Sequence, residues 1–216
     1  MKKFFLGIRD SLSKKELPYF LSFTAFLVLL VVLDILSKYF AYVHLSSEGN
    51  VLGAIPGLFN FVLAFNNGAA WGMLSDQKWL LTLLSFVIGS GVLIFYLFRF
   101  SKLPKTVSLA LALIVAGSYG NLIDRIGYWA GLGIYSRGVV DFLQFAFWTD
   151  FPVFNLADSY LTIGIAILLV YYLIQLIRSQ MADKKKELEI VDIDKIKDAD
   201  EKKEKENTDG EQGNPQ

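Results

Sequence analysis

Apolar residues run almost unbroken along four stretches of the chain, at about 19–44, 79–98, 107–125 and 158–177. Crossing a hydrocarbon core of about 30 Å takes roughly 20 residues of helix, so each stretch is long enough to span a bilayer. No charged residue falls between Lys78 and Arg99, between Lys105 and Asp124, or between Asp158 and Arg178. Uninterrupted runs of that kind predict transmembrane helices. Between the first two runs, GLFNFVLAFNNGAAWGM alternates apolar and polar positions in part and carries an Asn-Gly pair, which predicts short strands or a hairpin. Residues 127–156 concentrate aromatics, from Tyr128 and Trp129 to Phe151 and Phe154, with few charges, a composition suited to the membrane interface. The fold class expected is an all-α membrane protein with four transmembrane helices, short outer strands and an interfacial segment.

Flanking charge orients these spans. Lys2, Lys3, Arg9, Lys14 and Lys15 precede the first; Arg99, Lys102 and Lys105 separate the second from the third; Arg178 and Lys184 to Lys186 follow the fourth. The other side offers Lys78, Arg125 and Arg137. Basic loops stay on the cytoplasmic side, so both termini are expected there, with two loops outside. Residues 1–178 form one integral membrane domain in this reading. Residues 179–216 carry 8 basic and 12 acidic side chains and read as a solvated, partly disordered cytoplasmic tail.

Composition narrows the chemistry. The chain has 216 residues, 54% of them hydrophobic, which suits a single small polytopic domain. It has no cysteine and one histidine, His44, which excludes disulfides and thiol nucleophiles and leaves too few nitrogen and sulfur ligands for an ordinary zinc site. The basic start lacks a short apolar core followed by a cleavage site, so no cleaved leader is expected. Neither a metal, a cofactor nor a nucleic-acid partner is expected.

Ionisable residues at membrane depth are costly and mark function or packing. Asp34 and Lys38 lie four apart on one face of the first span, which predicts a buried ion pair that fixes helix packing. Asp124 lies 19 residues beyond Lys105 and Asp158 lies 20 before Arg178, so both sit roughly 28–30 Å from the inner surface. Two carboxylates at one depth in apolar surroundings do not both ionise readily; one keeps a proton and the other serves as a base. The alternative is that each aspartate marks a helix end, Asp158 as a cap and Asp124 as a solvated terminus. Asn121 stands one turn before Asp124 and Asn155 three residues before Asp158, giving each acid an amide partner. Ala116, Gly117, Ser118 and Gly120 give the third span a small face for close approach. Ser118 with His44, or Ser37 with Lys38, makes a poorer nucleophile and base pair by position.

With these residues in hand, the chain resembles the bacterial lipoprotein signal peptidase (signal peptidase II) family. DILSK matches D-x-x-x-K at Asp34 and Lys38, NNGAAW matches N-x-G-x-A-aromatic at Asn66 and Gly68, and GSYGNLIDR matches G-G-x-x-G-N-x-x-D-R through Gly117, Gly120, Asn121, Asp124 and Arg125. VVDF matches V-x-D-F with Asp141, and FNLAD matches F-N-x-A-D with Asn155, Ala157 and Asp158. The resemblance runs from about 19 to 178, and Ser118 departs from it by replacing a glycine.

The resemblance implies an aspartic endopeptidase with Asp124 and Asp158 as the catalytic pair, and with Asn66, Gly68, Asn121, Arg125, Asn155 and Ala157 supporting the pair or the substrate. It implies a β-rich outer cradle, a site at the outer face of the bacterial cytoplasmic membrane, and a monomer in contact with lipid. The implied substrates are diacylglyceryl-modified prolipoproteins, and the implied inhibitor is of the globomycin type. A small proton- or cation-coupled transporter is the alternative function, although such proteins place ionisable groups near the bilayer midplane. A structural scaffold would need no paired acids.

Overall fold

The structure, a computed structural model, describes residues 17–45, 51–68 and 73–211. The basic residues before the first span, and Ala70 and Trp71 of the NNGAAW motif, lie outside the described residues. The chain divides into two compact units, residues 1–169 and 170–216.

Four helices are long and apolar enough to cross a membrane: α1 (Leu17–His44), α2 (Lys78–Arg99), α3 (Lys105–Trp129) and α4 (Leu156–Glu211). Their apolar windows are buried to very different extents, 72% for α3 against 17%, 11% and 6% for α1, α2 and α4. The third helix is therefore the centre of the bundle, and the other three turn most of their apolar surface outward, as lipid contact requires.

Small residues allow that centre to close. A Cβ on Gly117 would collide with the Ala157 carbonyl oxygen, and one on Gly120 would lie 2.6 Å from Asp34 Oδ2 and 2.9 Å from Ala157 Cβ. Close backbone approach of this kind is how membrane helices gain packing energy without a hydrophobic driving force. The cluster of Leu30, Leu113 and Ala116, with Tyr160 packed on it, fills the same level between α1, α3 and the start of α4.

The outer segments form a three-stranded antiparallel sheet of β1 (Val51–Ile55), β2 (Phe59–Asn66) and β3 (Val139–Phe145), in the order β1-β2-β3. The first two strands meet at Pro56-Gly57, where Leu58 N–H donates to Ile55 O at 3.0 Å and Gly57 takes φ +74°. Proline followed by a residue of positive φ suits a type II turn. The Asn-Gly pair, the sequence-level turn signal, instead ends β2: Gly68 N–H donates to Asn66 Oδ1 at 2.8 Å in a local side-chain turn.

On the second strand pair, Asn66 stands opposite Val139 and Ala64 opposite Asp141, with a register shift between Phe61 and Ala64. Beyond β3, the Phe142 and Leu143 N–H groups both donate to Phe154 O, and Phe154 N–H returns a bond to Leu143 O. These bonds tie the strand carrying Asp141 to the residue just before Asn155. Ala41, Leu45, Leu63, Val140 and Phe142 form the apolar cluster that seats the sheet on the end of α1.

Two boundaries differ from the sequence reading. The third helix continues past Arg125 to Trp129, where Trp129 Nε1 donates to Thr82 Oγ1 at 3.2 Å. The fourth runs beyond Arg178 to Glu211, through the segment for which the charge pattern predicted a partly disordered tail. That segment is rich in Glu and Lys, both good helix formers.

Candidate active site

Asn155 begins the site because it begins α4. Its Oδ1 accepts the Asp158 N–H at 3.0 Å, and Asp158 Oδ2 accepts the Asn155 N–H at 3.1 Å. This reciprocal pairing is a capping box, with an asparagine and an aspartate in the two roles. The cap is therefore Asn155, where the alternative reading had Asp158; Asp158 stands in the first turn and also takes Asn121 Nδ2 on Oδ1 at 2.7 Å.

The Nδ2 of Asn155 turns away from the helix. It lies 2.6 Å from Asp141 Oδ1, 3.1 Å from Asn121 Oδ1 and 3.4 Å from Val140 O. Asp141 is 1% exposed and is further hydrogen-bonded by Asn66. Burial, and after it the negative charge of Asp158, hold the Asp141 carboxyl well above the usual carboxylate range, against the opposing pull of the amide donors and Lys38.

A second cluster lies beneath. The Lys38 ammonium sits 2.7 Å from Asp34 Oδ2 and 2.9 Å from Asp124 Oδ2, and all three side chains are fully buried. The expected Asp34–Lys38 pair is therefore a triad. Its outer bonds reach the site: Ala157 N–H donates to Asp34 Oδ1 at 2.9 Å, Val140 N–H to Asp124 Oδ2 at 3.3 Å, and Lys38 Nζ to Asn121 Oδ1 at 3.3 Å.

A cavity of about 330 Å³ opens on this arrangement, lined by Asp141, Asp158, Asn121, Arg125, Asn66 and Gly68 together with Phe151, Phe154, Leu161 and others. The structure separates Asp124 from Asp158, the two acids that the sequence reading paired. Asp124 faces α1 and its lysine, and it does not line the cavity. Asp141, read from the sequence only as part of the V-x-D-F match, lines the cavity with Asp158. Its sequence signal was a lone acid within the apolar run Val139 to Phe142, an expensive residue to bury without purpose.

The remaining sequence candidates come together around this pair. Arg125 lines the cavity and donates to Ser85 Oγ at 3.2 Å, a partner the sequence did not single out. Ala157 holds its N–H on Asp34, and its Cβ packs where only Gly120 leaves room. Two carboxyl groups of unequal environment, facing one polar and apolar cavity, can divide the roles of acid and base in a hydrolysis.

Comparison with known proteins agrees with this architecture. Residues 26–174 match the family model described as signal peptidase (SPase) II. A protein named lipoprotein signal peptidase from Streptococcus pyogenes serotype M1 is 39% identical over 148 residues, covering 68% of this chain and 90% of the relative. One of the same name from S. pyogenes serotype M5 (strain Manfredo) is 38% identical over the same length and coverage. Two solved structures, both titled as a bacterial membrane enzyme, superpose with TM-scores of 0.60 and 0.59 at 29% and 30% identity. Each covers 70% of this chain, and the alignment takes in 87% and 92% of the solved chains. With its four apolar helices and a match spanning well over half its length, the chain is a multi-pass membrane protein that belongs to the signal peptidase II family.

Proposed function

We propose that this protein is an aspartic endopeptidase that removes the signal peptides of lipoproteins, with Asp141 and Asp158 as its reacting pair. The observation that carries the reading is the cavity into which both acids face while Asp124 is held apart by Lys38. The family and the names of its relatives supply the substrate class.

The chemistry follows from the pair. One carboxylate takes a proton from water as the water oxygen bonds to the scissile carbonyl carbon, while the other, protonated, gives its proton to the carbonyl oxygen. In the collapse of that diol the first acid's new proton goes to the amide nitrogen, the carbon–nitrogen bond breaks, and a diol hydroxyl returns a proton to the second acid. Both acids regain their starting states. Phe151, Phe154 and Leu161 supply apolar walls, and Arg125 and Asn66 supply donors for a peptide backbone.

A diacylglyceryl group on the substrate would stay in lipid beside the cavity. The basic flanks of the spans support cytoplasmic termini and a site at the outer face. The resemblance also supports a monomer that binds globomycin-type inhibitors. The test is cleavage of a lipid-modified propeptide in detergent micelles by Asp141→Asn and Asp158→Asn, each checked for folding. Both are expected to fall to background, and an Asp141→Asn protein with full activity would return the pair to Asp124 and Asp158.

A further inference from the structure

The two asparagines have their amides fixed by partners on every side. On Asn121, Oδ1 accepts from Lys38 Nζ at 3.3 Å and from Asn155 Nδ2 at 3.1 Å, which turns Nδ2 onto Asp158 Oδ1 at 2.7 Å. On Asn155, the Asp158 N–H occupies Oδ1, which turns Nδ2 onto Asp141.

Asp158 consequently accepts at both oxygens, from Asn121 Nδ2 and from the Asn155 N–H. It sits in the first turn of α4, where the helix dipole favours negative charge, and it shares the cavity with the Arg125 guanidinium. Asp141 is carried by a strand, not by the first turn of a helix. It lies in β3 between Val140 and Phe142 and is almost wholly withdrawn from solvent. The charged groups around the pair are Asp34 and Lys38 from α1 and Asp124 and Arg125 from α3.

We infer that Lys38 is a positioning residue: by holding Asn121 Oδ1 it commits the amide donor to Asp158, which makes Asp158 the ionised base and leaves the shared proton on Asp141. The inference rests on Asp141 and Asp158 being the reacting pair. Without the ammonium the Asn121 amide can turn its oxygen toward Asp158, and a carbonyl oxygen is matched only by a protonated carboxyl. In the hydrolysis Asp158 then takes the proton of the water and later passes it to the leaving amine. Asp141 gives its proton to the carbonyl oxygen and recovers one from the diol.

Infrared spectroscopy of the full-length protein in lipid nanodiscs tests this, using aspartate labelled with heavy carbon at its side-chain carboxyl. In Asp141→Glu or Asp158→Glu the replaced acid escapes the label, and the unsubstituted protein gives the background of the native glutamates, which is subtracted. An unshifted protonated-carboxyl band is expected in Asp141→Glu and not in Asp158→Glu; the reverse, or no such band in Asp141→Glu, overturns the assignment.

Adding Lys38→Gln is expected to bring the band into the Asp158→Glu protein too, and Lys38→Gln alone to lower kcat at least tenfold with KM little changed, while Lys38→Arg restores the single-site pattern. Asn121→Ser, which lacks the oxygen that Lys38 holds, should redistribute the proton in the same way. Should neither Lys38→Gln nor Asn121→Ser move the band, Lys38 has no part in placing the proton. Cleavage by Asp141→Asn judges the pair itself separately, since the band reports the proton whether or not the pair reacts.

Discussion

Replacing Asn155 separates two jobs that one side chain performs. Its Oδ1 caps α4 by accepting the Asp158 N–H, and its Nδ2 donates to Asp141, Asn121 and Val140. Serine at this position can still cap, because its hydroxyl accepts from the same N–H, but it offers no amide donor. Alanine does neither. Loss of the cap costs about 1 kcal/mol, and leaving the buried Asp141 oxygen short of a donor costs about 1–3 kcal/mol. The Asp141 bond is short and its environment nearly sealed, so the upper part of that range applies. Asn155→Ser should therefore lose about 2–3 kcal/mol of stability and Asn155→Ala about 1 kcal/mol more. In catalysis the two should fall together, because both lose the group that orients Asp141. A loss of 1.4 kcal/mol in the transition state is about tenfold, so kcat should drop by roughly 10- to 100-fold with KM little changed. Unfolding midpoints in detergent and initial rates on a lipid-modified propeptide measure the two effects. Equal stability of the serine and alanine variants would refute the cap, and a serine variant with unchanged kcat would refute the orienting role.

Gly120→Ala should destabilise the protein by about 1–3 kcal/mol, since its Cβ would meet Asp34 Oδ2 at 2.6 Å and Ala157 Cβ at 2.9 Å; an unfolding midpoint like that of the unsubstituted protein would show that α3 and α4 can part without cost. Asp141 also makes stability depend on pH. Its folded carboxyl binds protons more tightly than an unfolded aspartate, with its usual value of about 3.9, so its contribution is whole below that pH and is lost as pH rises through the raised folded value. Asp141→Asn should flatten the decline in stability across that window, and parallel curves for the two proteins would contradict the raised value.

The four spans were legible because a backbone in lipid must bond internally, and that demand writes long charge-free runs into the sequence. Direction around the helix was not. At about 100° per residue, Asp124 stands 100° from its neighbour Arg125, so the arginine reaches the cavity while the aspartate turns to Lys38. Nothing in the spacing of α3 says which side α1 occupies; that is settled by Gly120 admitting Asp34. The ordered motifs brought the acids, asparagines and arginine of the site into view, including Asp141, but could not rank the acids, because ranking depends on which of them a cavity reaches. The hairpin was visible as alternation, yet its turn was Ile-Pro-Gly-Leu rather than Asn-Gly, a signature that short apolar flanks disguise.

The capping box at the head of α4 bears on where such an enzyme can work. Helix ends ordinarily need water to satisfy their first N–H groups, and that need pins them to the aqueous boundary. Here Asn155 and Asp34 receive the N–H groups of Asp158 and Ala157 from within the protein. The fourth helix can consequently start in dry surroundings, which frees the level of the peptide bond to be cut from the level of the water outside.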